Sequence, residues 1–329
     1  MSYSGGLRPK VQVITICYNQ EQYIAQALES IISQKTSFAF EAIVADDASS
    51  DATPQIIKEY ARKYPHIIKP ILRTTNIGSM QNFLDAATCV SAEYVAMCEG
   101  DDYWTDDTKL QKQVNMLDKH SECSICFHPV LIKWENSMKE STVFPSPSYR
   151  FNKTILDLND LLKQNFIQTN SVVYRWQFGD GTLNSVLPDN ILPGDYFIHM
   201  LHAQKGMICF INKCMGVYRK HAGGIWNDAA ISEEWFCKCG IRHLRFYKER
   251  NMRFLNTKNM PAYEEMADYV EKLILALRRQ DRQDDLLAIQ QEFPEYYMNF
   301  KNGVRPSLAV MKKVYTRIKS VLSCIYRKI

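Results

Sequence analysis

Short apolar runs alternate, over the first hundred residues, with stretches whose apolar positions recur at helical spacing. VQVITICYN (11–19) reads as a strand, and in QYIAQALESIISQ (22–34) Ile24, Ala27, Leu28, Ile31 and Ile32 share one helical face. The pattern repeats with a strand at FEAIVADD (40–47) and a helix through IIKEYARKY. Thr53 reads as its N-cap and Pro54 as its first helical residue. IIKPILRT predicts a third strand, SMQNFLDAATCV a third helix, and AEYVAMCEGDD a fourth strand that ends in carboxylates. Such alternation predicts an α/β domain with a mostly parallel sheet flanked by helices. Beyond residue 230 the periodicity turns wholly helical, in EEWFCKCGIRHLRFYKER, PAYEEMADYVEKLILALRRQ and DDLLAIQQEF.

The 329 residues suit one large domain with an accessory element. A 46% hydrophobic share supplies a real core and excludes an extensively disordered chain. No run reaches the roughly 18 apolar residues that a membrane span requires. The opening MSYSGGLRPK has no apolar segment, so the expected compartment is the reducing cytoplasm and the ten cysteines are expected to be free thiols. Cys123 and Cys126 form one C-x-x-C without a second at zinc-ribbon distance. In the β-rich run CSICFHPVLI they read as buried thiols.

Every polar cluster of the first half falls at the end of an expected strand: Cys17-Tyr18-Asn19, Asp46-Asp47 and Glu99-Gly100-Asp101-Asp102. Sheets of this kind bind ligands outside the carboxyl ends of their strands. Carboxylates brought together there repel one another unless a cation or hydrogen-bond donors intervene. Hard carboxylate oxygen donors suit Mg²⁺ or Mn²⁺, which commonly share their shell with substrate phosphates. The alternative is helix capping, which applies most to Ser50 and Asp51 just before Thr53.

VQVITICYNQEQYI, EAIVADDASSDAT, NIGSMQNF, YVAMCEGDDYWTDDTKL, GDYFIHMLHAQKG and YRKHAGGIW stand in an order that resembles family 2 glycosyltransferases of the GT-A (Rossmann-like) fold. The likeness is to bacterial enzymes of surface-polysaccharide or lipopolysaccharide assembly, and it covers roughly residues 10 to 228. It implies that Tyr18 packs on the nucleobase of a nucleotide-sugar, uracil being the commonest, and that Asp47 accepts a hydrogen bond from that base. Glu99-Gly100-Asp101 stands where the family has Asp-x-Asp, implying that Glu99 and Asp101 contact the donor and that Asp101 or Asp102 ligates Mn²⁺ or Mg²⁺. By the same resemblance His221 is a metal or diphosphate ligand and Arg219 pairs with phosphate oxygens, an ordinary surface His and Arg of a loop being the alternative.

Direct displacement at an anomeric carbon inverts it and needs a base for the acceptor hydroxyl. Asp195, which opens an apolar-periodic helix after a Pro-Gly turn, matches the family's catalytic Asp. A helix-terminal acid favoured by the macrodipole is the other explanation for it. FIQTNSVVYR (166–175) resembles the segment beneath the acceptor, which makes Thr169, Asn170 and Ser171 acceptor candidates. Trp104 and Trp226 are candidates to stack on sugar faces, with core tryptophans as the alternative.

The expected division is a catalytic domain at 1–228, with donor binding in 10–120 and the acceptor and base region in 121–228, and a helical extension at 229–329. After Glu295 the chain carries eight basic residues and no acid, although its net charge is only +4. From Leu308 onward Leu308, Met311, Val314, Tyr315, Ile318, Val321, Leu322 and Ile325 fall on one face of a basic helix. That helix is expected either to lie on an anionic membrane, where a lipid-linked acceptor would sit, or to dock on the protein itself. The expected protein is thus cytoplasmic, peripheral on the inner face of the membrane if the first holds, with a saccharide or lipid-linked acceptor and no nucleic-acid partner. A nucleotidyltransferase would want a glycine-rich loop after the first strand, where CYNQEQ has none. The remaining rival is a non-catalytic nucleotide-binding scaffold on a GT-A fold, against which Asp47, Asp101, Asp102 and Asp195 together speak.

Overall fold

A computed structural model of the chain describes residues 8–135, 137–146, 154–179, 181–224, 232–255 and 260–302. β1 (Val11–Cys17) is almost wholly buried, as its apolar sequence requires of a strand covered on both faces. α1 (Ile24–Ile32) buries Ile24, Ala27, Leu28 and Ile31, the expected stripe. Then come β2 (Phe40–Asp46), α2 (Thr53–Lys63), β3 (Ile68–Leu72), α3 (Ser79–Thr88) and β4 (Tyr94–Met97), each where the periodicity places it. Thr53 is not the N-cap of α2. Its hydroxyl accepts from the Gln20 amide, and the Thr53 amide is answered by Asp51 instead.

The chain continues through β5 (Tyr103–Trp104), α4 (Lys109–Lys119), β6 (Cys123–Phe127), β7 (Val130–Trp134), β8 (Thr142–Phe144), β9 (Ile155–Leu156) and α5 (Leu158–Lys163). A 3₁₀ turn at Thr169–Ser171 precedes β10 (Val173–Arg175), α6 (Thr182–Val186), α7 (Gly194–Ala203), β11 (Met207–Phe210) and β12 (Gly216–Lys220). The main sheet runs β3-β2-β1-β4-β10-β6-β11-β9, and a smaller one runs β5-β12-β7-β8. The first four neighbours of the main sheet are mutually parallel, and β10 enters antiparallel between β4 and β6.

Register aligns the strand ends. Cys17 stands opposite Asp46, and the β1–β4 ladder continues beyond β4, with the Cys98 and Gly100 amides donating to the carbonyls of Ile14 and Ile16. Cys123 and Cys126 lie in the fully buried β6 as read from sequence, and the described cysteines are free thiols.

The chain divides into two compact units. One holds the residues up to Leu187 together with Ile198–His221; the other takes Pro188–Phe197 and the chain from Ala222 onward. The segment before the middle of α7 groups with the helical unit. That unit contains α8 (Glu233–Phe254), α9 (Met260–Arg279), α10 (Gln283–Glu292) and α11 (Pro294–Lys301), around Leu244, Val270, Leu273, Ile274, Leu277 and Ile289. The basic helix expected beyond Leu308 lies outside the described residues. No described helix is long and apolar enough to cross a membrane.

Lys109, at the start of α4, is fully buried in the sheet unit, with its ammonium 4.1 Å from the centre of the Trp104 ring. Burial lowers its pKa to about 7, against 10.5 in the open chain. Between those values the unfolded chain binds more protons than the fold, so this lysine makes stability rise with pH there. Below about 7 both states are protonated and the cost of burying the ammonium is felt in full. Urea unfolding at pH 6 to 10 is therefore expected to show Lys109→Met most stabilised relative to wild type at the acid end, the difference shrinking toward pH 10. A difference independent of pH would contradict a charged-state penalty at Lys109.

Candidate active site

Two loops at the ends of β1 and β2 are sewn together by side chains reaching across to backbone amides. Ser49 Oγ accepts from the Asn19 amide at 2.8 Å, and Asn19 Oδ1 accepts from the Ser50 amide at 2.9 Å. Asp51 accepts from the Glu21 amide and Glu21 from the Ala52 amide. The stitching holds Asn19 and Ala48 at φ 52° and 60°, left-handed conformations that Ala rarely adopts. Tyr18, at the head of the first loop, keeps 49% of its surface exposed, so its ring is available to a flat ligand.

The paired aspartates behind these loops are buried and occupied. Asp46 accepts from both the amide and the hydroxyl of Ser49. Asp47, expected to meet a base, uses one carboxylate oxygen for the Ile77 amide at 2.8 Å and the other for the Gly78 amide at 2.9 Å. It thereby pins the loop before α3, where Gly78 takes φ 87°. Sequence reasoning missed this tie because it joins segments thirty residues apart.

In the acidic quartet the four residues have different surroundings. Glu99 is half-buried, and its carbonyl receives the Asp102 amide at 3.0 Å. Asp102 is fully buried, with Oδ1 accepting from the Arg219 amide at 2.9 Å and, among the described residues, no hydrogen-bond partner for Oδ2. Burial, then the charges of Asp101 and Glu99, push its pKa well above the usual carboxylate range. Asp102 therefore serves the interior rather than facing a metal. Asp101 is the outward member, with Oδ2 2.9 Å from His221 Nε2. The Tyr23 ring packs against that imidazole, with ring centres 4.6 Å apart.

Other expectations change once side chains are placed. Arg219 is 5% exposed and bonds within the protein, to the Asp101 carbonyl, Glu135 and Gln26, instead of presenting itself to a phosphate. Trp104 is a core residue whose indole N–H donates to the Asn170 carbonyl at 2.8 Å, so its ring is not a sugar platform. Thr169, Asn170 and Ser171 are all buried, and the Asn170 amide donates to the Val217 carbonyl of β12, so this segment supports the site from behind. Trp226 lies outside the described residues. Asp195 is half-buried in the first turn of α7. Of the other acids in the helical unit, Glu233 is held by Arg279 at 2.8 Å, while Asp189 is exposed.

A family profile described as "Glycosyl transferase family 2" matches residues 12–178, just over half of the chain, a span that holds Tyr18, Asp47 and the 99–102 quartet but not His221. The chain belongs to glycosyl transferase family 2. It is 49% identical over 228 residues to an uncharacterized protein of Mycobacterium tuberculosis, a match covering 69% of this chain and 63% of that one. The fold is that of S. aureus TarS in complex with UDP-GlcNAc, with TM-score 0.52, 19% identity and 91% and 93% of the two chains covered. It is equally that of the mannosyltransferase PcManGT from Pyrobaculum calidifontis in complex with GDP-Man and Mn²⁺, with TM-score 0.54, 14% identity and 96% and 88% covered. These likenesses make the architecture GT-A, as its residues implied.

In such a family 2 site a divalent ion is the group to test against the residues present. Asp101 Oδ2 and His221 Nε2 are 2.9 Å apart, close to the roughly 3 Å between adjacent donors of an octahedral shell of about 2.1 Å radius. One carboxylate oxygen and one imidazole nitrogen suit Mn²⁺. Among the described residues no set of three or more His, Cys, Asp or Glu is grouped to hold a metal. The chain alone thus offers too few ligands for a closed cage, as suits an ion completed by diphosphate oxygens and water. The pair fits.

Gly100 makes the geometry possible. A Cβ there would meet Gln20 Oε1 at 2.4 Å and Cys17 Cβ at 2.8 Å. Gly100→Ala must push the quartet off the end of β1, and is expected to cost about 1–3 kcal/mol of stability. Urea unfolding of the variant beside wild type checks this; unchanged stability would mean that the close approach at Gly100 is relieved without moving the quartet.

Proposed function

We propose that this family 2 protein is a metal-dependent inverting glycosyltransferase, taking a sugar from a nucleotide-sugar, a UDP-sugar by preference, to an acceptor hydroxyl of a cell-surface polysaccharide or lipopolysaccharide. The observation that carries the reading is the Asp101–His221 pair, at the strand-end crevice whose rim bears the exposed Tyr18. UDP-GlcNAc bound to TarS and GDP-Man with Mn²⁺ bound to PcManGT support a nucleotide-sugar and a divalent cation as the ligands to try first.

In this mechanism Tyr18 supplies a face for the base, and Glu99 lies beside the ribose and diphosphate. Asp101 and His221 would hold Mn²⁺ or Mg²⁺, which when bound offsets the charge developing on the departing nucleoside diphosphate. The side chain of Asp195 accepts the proton of the acceptor hydroxyl as that oxygen attacks from the side opposite the leaving nucleotide. A single displacement inverts the anomeric carbon. The buried Asp47, Asp102 and 169–171 segment keep the crevice in shape and do not contact substrate.

The ion reading and the base reading separate in experiment. Asp101→Asn is expected to weaken Mn²⁺-supported UDP binding about 10–100-fold. Chelation of wild type should abolish transfer, and transfer undiminished in excess chelator would sink the ion reading. Asp195→Asn should keep donor and Mn²⁺ binding while turnover falls by about two to four orders of magnitude. Turnover within a few-fold of wild type would move the base elsewhere, with the exposed Asp189 next in line. Donor hydrolysis by purified protein distinguishes this enzyme from a non-catalytic scaffold.

Membrane recruitment belongs to the same proposal and rests on the acid-free basic stretch after Glu295. Deleting residues 306–329 is expected to release the protein from anionic liposomes and leave donor hydrolysis intact, with wild-type binding weakening as salt rises. Wild-type protein that ignores the liposomes would overturn it.

A further inference from the structure

The Arg219 side chain is 4% exposed, yet it bridges three parts of the sheet unit. Nη1 donates to the Asp101 carbonyl at 2.6 Å, Nε to Glu135 Oε1 at 3.2 Å, and Nη2 to Gln26 Oε1 on α1. Its guanidinium carbon lies 4.4 Å from the ring centre of Tyr103 and 5.1 Å from that of Tyr23. The Arg219 backbone amide holds Asp102 Oδ1, so one residue grips both aspartates of the quartet, one through its carbonyl and the other through its carboxylate. Two residues later the chain delivers His221 to Asp101.

We propose that Arg219 is a positioning residue for the Asp101–His221 pair and not a ligand of donor phosphate, an inference that rests on reading that pair as the metal and diphosphate site. Recognition of a phosphate by arginine wants two parallel N–H groups aimed at the anion. Here each guanidinium nitrogen already has a protein acceptor and both neighbouring rings are aromatic, an arrangement that compensates the buried charge where it stands. Withdrawing the guanidinium would take from the Asp101 carbonyl the Nη1 donor that it has inside the protein. The consequence of the bridge is geometric. The 101–103 turn, the first turn of α1 and the end of β12 are fixed to one rigid planar group, so the carboxylate of Asp101 and the imidazole of His221 stay within one coordination shell of each other. Tyr23 extends the same clamp, touching both the guanidinium and the His221 ring.

The test separates a phosphate ligand from a positioning residue by measuring UDP affinity with Mn²⁺ and again with chelator, in wild type, Arg219→Met and Gln26→Leu. Arg219→Met is expected to lose about 10–100-fold in the Mn²⁺-supported affinity, the usual effect of removing a partner behind a metal ligand, and to leave metal-free UDP affinity unchanged within about twofold. Gln26→Leu, which removes only one acceptor, should move the same quantity in the same direction by a few-fold, and it carries the test if Arg219→Met does not give a folded thermal transition. An equal fall in metal-free and Mn²⁺-supported affinity would make Arg219 a direct phosphate ligand and overturn the proposal. Wild-type affinity that ignores Mn²⁺ would overturn the metal reading together with this one. Mn²⁺-responsive wild type beside indifferent Arg219→Met and Gln26→Leu would overturn only the role given to Arg219.

Discussion

Mutual repulsion among carboxylates gathered at the carboxyl ends of β2 and β4, the two neighbours of β1, is the constraint on which the rest of this site depends. Placed together in a partly dry crevice without donors, Asp46, Asp47, Asp101 and Asp102 would repel one another with nothing to offset the repulsion. The chain answers most of them individually. Ser49 satisfies Asp46, the 77–78 amides satisfy Asp47, and the Arg219 amide takes one oxygen of Asp102. Asp101 is the member answered by a side chain that can itself ligate a metal, His221. The paired loops, the pinned segment before α3 and the buried arginine are all parts of that accommodation.

The sheet provides the precision. Because the β1–β4 ladder runs on to the Gly100 amide, the quartet is not a free loop but a continuation of the sheet, at the level where Cys17 faces Asp46. The smaller sheet then brings β12 against β5, so residues more than a hundred positions later in the chain meet the quartet by strand pairing. A site built on strand ends in this way is held by the core and needs little ordering when a ligand arrives.

The parallel half of the fold was legible because its strands are apolar runs and its helices carry clean stripes, as in Ile24, Ala27, Leu28 and Ile31. The short strands of two to five residues, β5, β7, β8, β9, β11 and β12, were not, since so few positions show no period and their pairing is decided by tertiary contacts. At the site, the strand-end crevice could be anticipated from motif order, whereas the contact between Asp101 and His221 and the fate of the other polar groups could not. Arg219, Trp104 and Asn170 have the composition of ligand-binding residues, and their burial follows from how β12, β5 and the 169–171 turn pack, which no local pattern encodes. Motif position names the candidates; only the packing distinguishes a side chain that is open to a ligand from one that is enclosed.

The central claim is that Asp101 and His221 are the protein's hold on a divalent ion at the donor diphosphate. Diffraction from crystals grown with UDP and Mn²⁺, recorded at the manganese absorption edge, tests it most directly. The account requires an anomalous peak bonded to one oxygen of Asp101, to Nε2 of His221 and to oxygens of UDP, with Asp102 still enclosed and bonded to the Arg219 amide. A peak ligated by Asp102 instead, or UDP seated in the crevice with no peak beside Asp101, would contradict it.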